Sequence, residues 1–238
     1  MTDTSHIGLS RQAALERQME VVANNIANMN TTAFKAQHTL FSEYLNAHSG
    51  EKTVQAKSTY RDLSQGTLKP TYNELDFSVQ GEGYFAVQTP EGTKYTRNGS
   101  FSLNGAGVIV TKAGYPVLGD NGSPLTVPTG AAQITVDKAG NLNSEKGSIG
   151  KLKLATFDNQ QMLKAIGGNL YDANNAPEKA VRTPHVVQGM LESSNVNAIV
   201  EMTEMTKITD AYDSVQKQQT SEHQRAQTMI QILTKLET

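Results

Sequence analysis

The sequence predicts an α+β protein: long N- and C-terminal helices, forming a coiled-coil-like pair, flank a central all-β domain. Three observations predict it. Apolar residues near the N-terminus recur at helical spacing, the middle breaks into short β-branched stretches cut by glycine turns, and the last stretch carries an unbroken heptad pattern. The expected divisions are an N-terminal helix over 1–30, an extended connecting segment over 31–66, a β domain over 67–188, and a segment over 189–238 whose long helix packs on the first.

In the first region, from about Ser5 to Asn30, Leu15, Met19, Val22 and Ile26 fall at spacings of four, three and four, one face of a helix. Leu9 and Ala13/Ala14 extend that stripe, while Arg11, Glu16, Arg17 and Glu20 lie between. Asn28, Asn30, Thr31 and Thr32 compete for backbone hydrogen bonds and are expected to end the helix.

Between about Gln65 and His185 the period changes to that of strands. Leu75–Val79, Tyr84–Thr89, Lys94–Arg97, Val108–Thr111, Ile134–Val136 and Leu152–Phe157 read as strands. Pro90-Glu-Gly, Asn104-Gly-Ala-Gly, Asp120-Asn-Gly-Ser-Pro and Lys138-Ala-Gly-Asn read as turns. No helical stretches alternate with these strands, so a sandwich or irregular barrel is expected and a parallel α/β sheet is not.

From about Asn195 to Leu236, Met205, Tyr212, Gln219, Ala226 and Leu233 recur every seven residues. Ile208, Val215, Glu222, Met229 and Leu236 repeat at an offset of three, which makes an a/d seam with polar interruptions at Gln219 and Glu222. Roughly 42 residues without Gly or Pro, at 1.5 Å each, make a helix about 60 Å long.

Composition narrows the function. Of 238 residues 37% are hydrophobic, Trp is absent, and the net charge is -2 with no Lys/Arg cluster, so nucleic acid is not the expected partner. Cysteine is absent, which removes disulfides, thiolate metal sites and cysteine nucleophiles. No segment approaches the roughly 18 apolar residues of a spanning helix, so membrane insertion is not expected. The opening Met1–Leu9 stretch has neither a basic start nor an apolar run, so export without a cleavable signal peptide is the expectation.

Catalytic chemistry finds no footing. The five histidines (His6, His38, His48, His185, His223) sit at no metal-ligand spacing. Glu145-Lys-Gly-Ser-Ile-Gly-Lys-Leu lacks the glycine and hydroxyl that open and close a phosphate loop. Gly81-Glu-Gly-Tyr joins strand to strand and opens no helix, and no Gly-x-Ser-x-Gly elbow occurs. No enzyme activity, cofactor, metal or small-molecule substrate is expected.

Three segments carry a resemblance. Val22-Ala-Asn-Asn-Ile-Ala-Asn-Met-Asn-Thr-Thr-Ala-Phe-Lys35 closely resembles the N-terminal signature of flagellar axial proteins, the rod and hook subunits. Leu75 to Val87 with Tyr95 to Phe101 resembles that family's central β segment, and Gly189 to Asn197 its C-terminal entry. Many members place Gly where this chain has Ala33, a position suited to a left-handed turn.

The resemblance implies a structural subunit of the basal-body rod, of the proximal kind, self-assembling helically into the drive shaft that transmits torque from motor to hook. A distal rod subunit and an unrelated coiled-coil interaction module are the alternatives. Implied partners are copies of itself, other flagellar rod proteins and the flagellar export apparatus, and the implied location is the periplasmic rod. The residues expected to carry assembly are Leu15, Met19, Val22, Asn24, Asn25, Ile26, Asn28, Asn30 and Phe34 at the N-terminal end. At the C-terminal end they are Asn195, Val196, Asn197, Met205, Ile208, Tyr212, Val215, Met229, Leu233 and Leu236.

Overall fold

A computed structural model describes residues 2–45, 52–131 and 133–236, with side-chain surroundings for 8–41, 58–131 and 133–232. The chain divides into two compact units, one of residues 1–28, 37–62 and 196–238, the other of 29–36 and 63–195.

The first unit holds α1 (Thr2–Ala27), β1 (Gln37–Leu45), β2 (Lys52–Arg61) and α2 (Ala198–Leu236). The apolar stripe of α1 turns inward, with Ala14, Val21 and Val22 buried and Leu15, Met19 and Ile26 half-buried. Leu9, expected to extend the stripe, is 60% exposed. Along α1, Gln18 reaches Glu204 and Gln12 reaches Tyr212, so the two helices run antiparallel. Asn197 starts α2 by accepting the amides of Ile199 and Val200 on its side-chain oxygen, a capping contact worth about 1 kcal/mol. The seam of α2 is buried at Glu201, Ile208 and Val215, then fades, and Glu222 and Met229 face outward.

The stretch read from sequence as an extended connector contains a two-stranded antiparallel hairpin, Gln37 opposite Arg61 and Leu45 opposite Lys52, with a register shift between Leu40 and Phe41. Its strands are largely polar, so alternation alone does not mark them; α1 packs against both.

Among the described residues the regular elements of the second unit are strands and one 3₁₀ turn (Gln160–Met162). Its strands are β3 (Leu68–Pro70), β4 (Phe77–Val79), β5 (Tyr84–Thr89), β6 (Gly92–Thr96), β7 (Phe101–Leu103), β8 (Ile109–Thr111) and β9 (Ile134–Val136). Then follow β10 (Asn141–Ser144), β11 (Gly147–Lys151), β12 (Leu154–Thr156), β13 (Lys164–Gly167), β14 (Leu170–Asp172), β15 (Lys179–Ala180), β16 (Val186–Gln188) and β17 (Met190–Glu192).

Six of these form an antiparallel sheet in the order β13-β14-β6-β5-β12-β15. Strand β5 explains why Tyr-Phe-Ala-Val reads as a continuous apolar run: it is buried on both faces. Phe85 and Val87 join one core with Phe77, Phe101, Ile109, Val117, Leu142 and Leu152. Tyr84 and Ala86 join a second with Tyr95, Phe157, Leu163 and Tyr171, where the rings meet edge to face.

Polar groups close the margin of the second core. The Tyr95 hydroxyl donates to Glu178 at 2.7 Å, and burial, then that carboxylate, pushes the phenol well above its usual range. Lys94 donates to Asp172 at 2.5 Å; the Asn174 amide first, then Lys94, hold the Asp172 carboxyl below its usual range.

Backbone closeness constrains the first core. Phe77 donates its amide to the Gly99 carbonyl at 3.0 Å, and a Cβ on Gly99 would lie 1.8 Å from the Phe77 oxygen. Gly99→Ala is therefore expected to lower stability by about 3 kcal/mol, at the upper end for overpacking, because backbone and not a side chain must yield. A urea melt of the variant measures it.

Candidate functional site

The residues expected to carry assembly separate between the units. In the first unit, Asn25 is wholly buried and acts as a bridge. Its amide nitrogen donates to the Gln37 carbonyl at 2.8 Å and to Glu201 Oε2 at 3.1 Å, and its oxygen accepts the Gln37 amide at 2.9 Å. One side chain thus ties the end of α1 to the first residue of β1 and to the first turn of α2. Asn24, beside it, is exposed, and its carbonyl accepts the Asn28 side chain at 2.9 Å, where the helix ends.

Around this bridge Val22, Ile208 and Val215 are buried, while Leu15, Met19, Ile26, Asn28, Val196, Met205 and Tyr212 are half-buried. The Tyr212 hydroxyl donates to Glu16 at 3.0 Å and accepts from Gln12 at 2.6 Å. Asn197 is the exposed cap of α2 and Met229 is 51% exposed. Leu233 and Leu236 lie on α2, but their side chains fall outside the described residues. Near the two ends of α2, Ile199, Val200, Met202, Ile230 and Ile232 are also exposed, at 78%, 59%, 50%, 62% and 55%.

Asn30, Phe34 and Asn195 belong to the second unit. Asn30 is exposed; the half-buried Phe34 gives its carbonyl to the Asn195 amide at 3.3 Å. The Asn195 side chain accepts the Ala36 amide at 2.7 Å and donates to the Ser64 carbonyl and hydroxyl, each at 3.1 Å. Three strands of chain, entering from 36, 64 and 195, are laced by one amide.

Beneath this lacing sits a group that sequence reasoning did not single out. Glu192 is 2% exposed. Lys35 donates to its Oε1 at 2.5 Å and the Gly66 amide to the same oxygen at 3.1 Å, while Arg97 reaches Oε2 at 3.2 Å. Two buried cations thus share one carboxylate. The surplus positive charge is met by carbonyls: Lys35 donates to Ser64, and Arg97 to Gly81 and Gly83 at 2.7 and 2.6 Å. The Arg97 guanidinium also lies 5.7 Å from the Tyr84 ring centroid.

The Glu192 backbone adds to the grip by accepting the Ala33 amide at 2.7 Å. Ala33 adopts φ 57°, the left-handed conformation for which Gly is better suited, and is 1% exposed. Gly66 lies so close that a Cβ there would stand 1.9 Å from the Ser193 carbonyl.

Three family descriptions match along the chain: flagella basal body rod protein over residues 6–35, flagellar hook protein FlgE/F/G D1 domain over 78–144, and flagellar basal body rod FlgEFG protein C-terminal over 187–232. The chain is 36% identical to the flagellar basal-body rod protein FlgF of Caulobacter vibrioides, over 91% of this chain and 92% of that one. The chain belongs to the flagellar basal-body rod protein family. It is 33% identical to FlgF of Mesorhizobium japonicum over 90% of each chain, and 34% identical to the FlgG of Caulobacter vibrioides over 86% of this chain and 89% of that one.

This rod-family chain is a structural subunit of the flagellar basal-body rod, of FlgF-like character, in a family of structural proteins that is not an enzyme family. Rod proteins assemble with one another into the rod, and the basal body is its place. Each matched segment contributes one member of the buried cluster: Lys35 the first, Arg97 the second, Glu192 the third. All three stand inside the segments that carry the resemblance, but a lone Lys, Arg or Glu in sequence gives no sign that it will be buried.

Removing the shared carboxylate leaves two buried cations facing a neutral amide. Glu192→Gln is expected to cost about 3 to 5 kcal/mol, read as a lowered urea midpoint. Asn25→Ala removes three hydrogen bonds from a buried side chain and is expected to cost about 2 to 3 kcal/mol by the same measurement.

Proposed function

We propose that this chain is a proximal rod subunit whose helical unit packs, coiled-coil-like, with copies of itself and sibling rod proteins, while its β domain stiffens the shaft. The observation that carries the reading is on α2. The helix uses Glu201, Ile208 and Val215 toward α1, yet leaves Ile199, Val200, Met202, Met229, Ile230 and Ile232 exposed. Exposed apolar side chains on one helix are favourable to bury against a neighbour. Head-to-tail contacts that do not close into a ring generate a helical array.

In this reading the assembly residues are those of α1, the turn after it, and α2 from Asn195 to Leu236. Torque passes from motor to hook through the array, and the subunit reaches the periplasmic rod through the flagellar export apparatus without a cleavable signal. Among the described residues no helix is long and apolar enough to cross a membrane, and no group of three or more His, Asp or Glu could hold a metal ion. The reading includes no catalysis, cofactor, nucleic acid, small-molecule substrate or membrane insertion. The FlgG relatives favour a second reading, a distal rod subunit, on the same chemistry.

Outward substitutions test it. Val200→Glu with Ile230→Glu is expected to leave the thermal midpoint nearly unchanged, since surface changes are usually within about 0.5 kcal/mol. The same variant is expected to lose incorporation into basal bodies, scored on isolated basal bodies by immunoblot. Normal incorporation sinks the reading.

A further inference from the structure

An asparagine side chain followed by glycine is open to attack by the glycine nitrogen, because no Cβ stands beside that nitrogen. The chain has three such pairs, Asn98-Gly99, Asn104-Gly105 and Asn121-Gly122, each between strands of the second unit. The fold treats them differently.

Gly99 is buried, and its carbonyl accepts the Phe77 amide at 3.0 Å. A Cβ on it would stand 1.8 Å from the Phe77 oxygen, so this backbone has no room to bend toward a side chain. Gly122 sits at φ 76° and donates its amide to the Gly119 carbonyl at 2.8 Å, so the proton on its nitrogen is already held. In these two pairs close packing and a left-handed backbone account for the glycine.

Asn104-Gly105 differs on each count. Both residues are exposed in the turn between β7 and β8. Gly105 lies outside the left-handed region, and a Cβ on it meets nothing within 4 Å, so the turn itself does not demand glycine. Its amide finds no acceptor among the described residues. The Asn104 side-chain oxygen accepts the Ala106 and Val108 amides at 3.0 and 2.9 Å. Those two donors polarise the carbonyl and stabilise the negative charge that gathers on its oxygen under attack.

We propose that Asn104 is a self-modification site, at which the Gly105 nitrogen displaces the side-chain amide as ammonia. The Gly105 N–H yields its proton to solvent, the nitrogen pair bonds to Asn104 Cγ, and the Cγ–Nδ2 bond breaks. The departing nitrogen takes a proton from water and leaves as ammonia, and nothing is oxidised or reduced. Water then opens the five-membered imide at either carbonyl. Opening at Cγ leaves aspartate, whose carboxylate accepts the same two amides more strongly. Opening at the backbone carbonyl leaves isoaspartate, and turns the oxygen that accepts the Gly107 amide at 2.9 Å into part of a free carboxylate.

The test follows all three pairs in the full-length protein in mildly alkaline buffer, folded or in urea, by peptide mass mapping after digestion in acid. In urea the three are expected to react at similar rates. In the folded protein Asn104 is expected to react at least about tenfold faster than Asn98 and Asn121. Gly105→Ala is expected to keep the thermal midpoint and to slow the reaction at Asn104 roughly tenfold, since a Cβ crowds the attacking nitrogen.

Equal folded-state rates at the three pairs, or a faster one at Asn98 or Asn121, overturn the assignment. No product at Asn104 in the folded protein, while urea releases all three, shows that the turn protects it and overturns the proposal. An unaltered rate in Gly105→Ala overturns the role of the Gly105 nitrogen. A lowered midpoint in that variant makes glycine a demand of the turn and equally overturns it.

Discussion

A buried charge must be answered where it lies, and in this protein that constraint fixes the second unit. Glu192 is desolvated, so its carboxylate requires cations and amides at hydrogen-bond distance. They come from Lys35, 157 residues away in sequence, from Arg97, 95 residues away, and from the Gly66 amide, 126 residues away. No subset of these segments satisfies it. The β-rich unit therefore includes the short strap 29–36 as an integral part, although the main body of that unit begins only at 63. The left-handed Ala33 and the close approach of Gly66 to Ser193 follow from the same requirement, because the strap must pass close to β17 to deliver Lys35.

The helical unit obeys a related rule with weaker charges. Its two helices come from opposite ends of the chain, so it closes only when both ends are present. Among the described residues of α1 the most buried side chain is Asn25, an amide whose hydrogen-bonding groups are answered by Gln37 and Glu201. A buried polar contact on an otherwise apolar seam favours one register over neighbouring ones, since any slip leaves it unsatisfied. Ile199, Val200 and Met202 near the start of α2 and Met229, Ile230 and Ile232 near its end stay exposed, Met229 on the same seam that buries Ile208 and Val215.

Legibility followed periodicity. Both helices and six strands could be placed because burial of one face, or of both faces as in β5, imposes a repeat on the sequence. The β1–β2 hairpin and the short β10, β11, β13 and β14 strands left no comparable repeat; they are polar, rich in Gly and Asn, or only three or four residues long. Leu9 shows the reverse failure. Expected to extend the apolar stripe, it lies off the face by which that turn meets α2, where Gly8 approaches Gln219, and it stays exposed.

Sequence alone determined the class of the molecule: two long amphipathic helices around glycine-punctuated strands, with no cysteine, no metal spacing and no nucleophile motif. Asn25 and Asn195 were expected as assembly residues; within the chain the structure shows each as a bridge between segments. Only the tertiary structure decided that Lys35, Arg97 and Glu192 meet, and that Asn25 pairs with the backbone of Gln37. Local pattern records which face of an element is buried; it does not record which distant charge or carbonyl will be its neighbour, since that depends on where the whole chain closes.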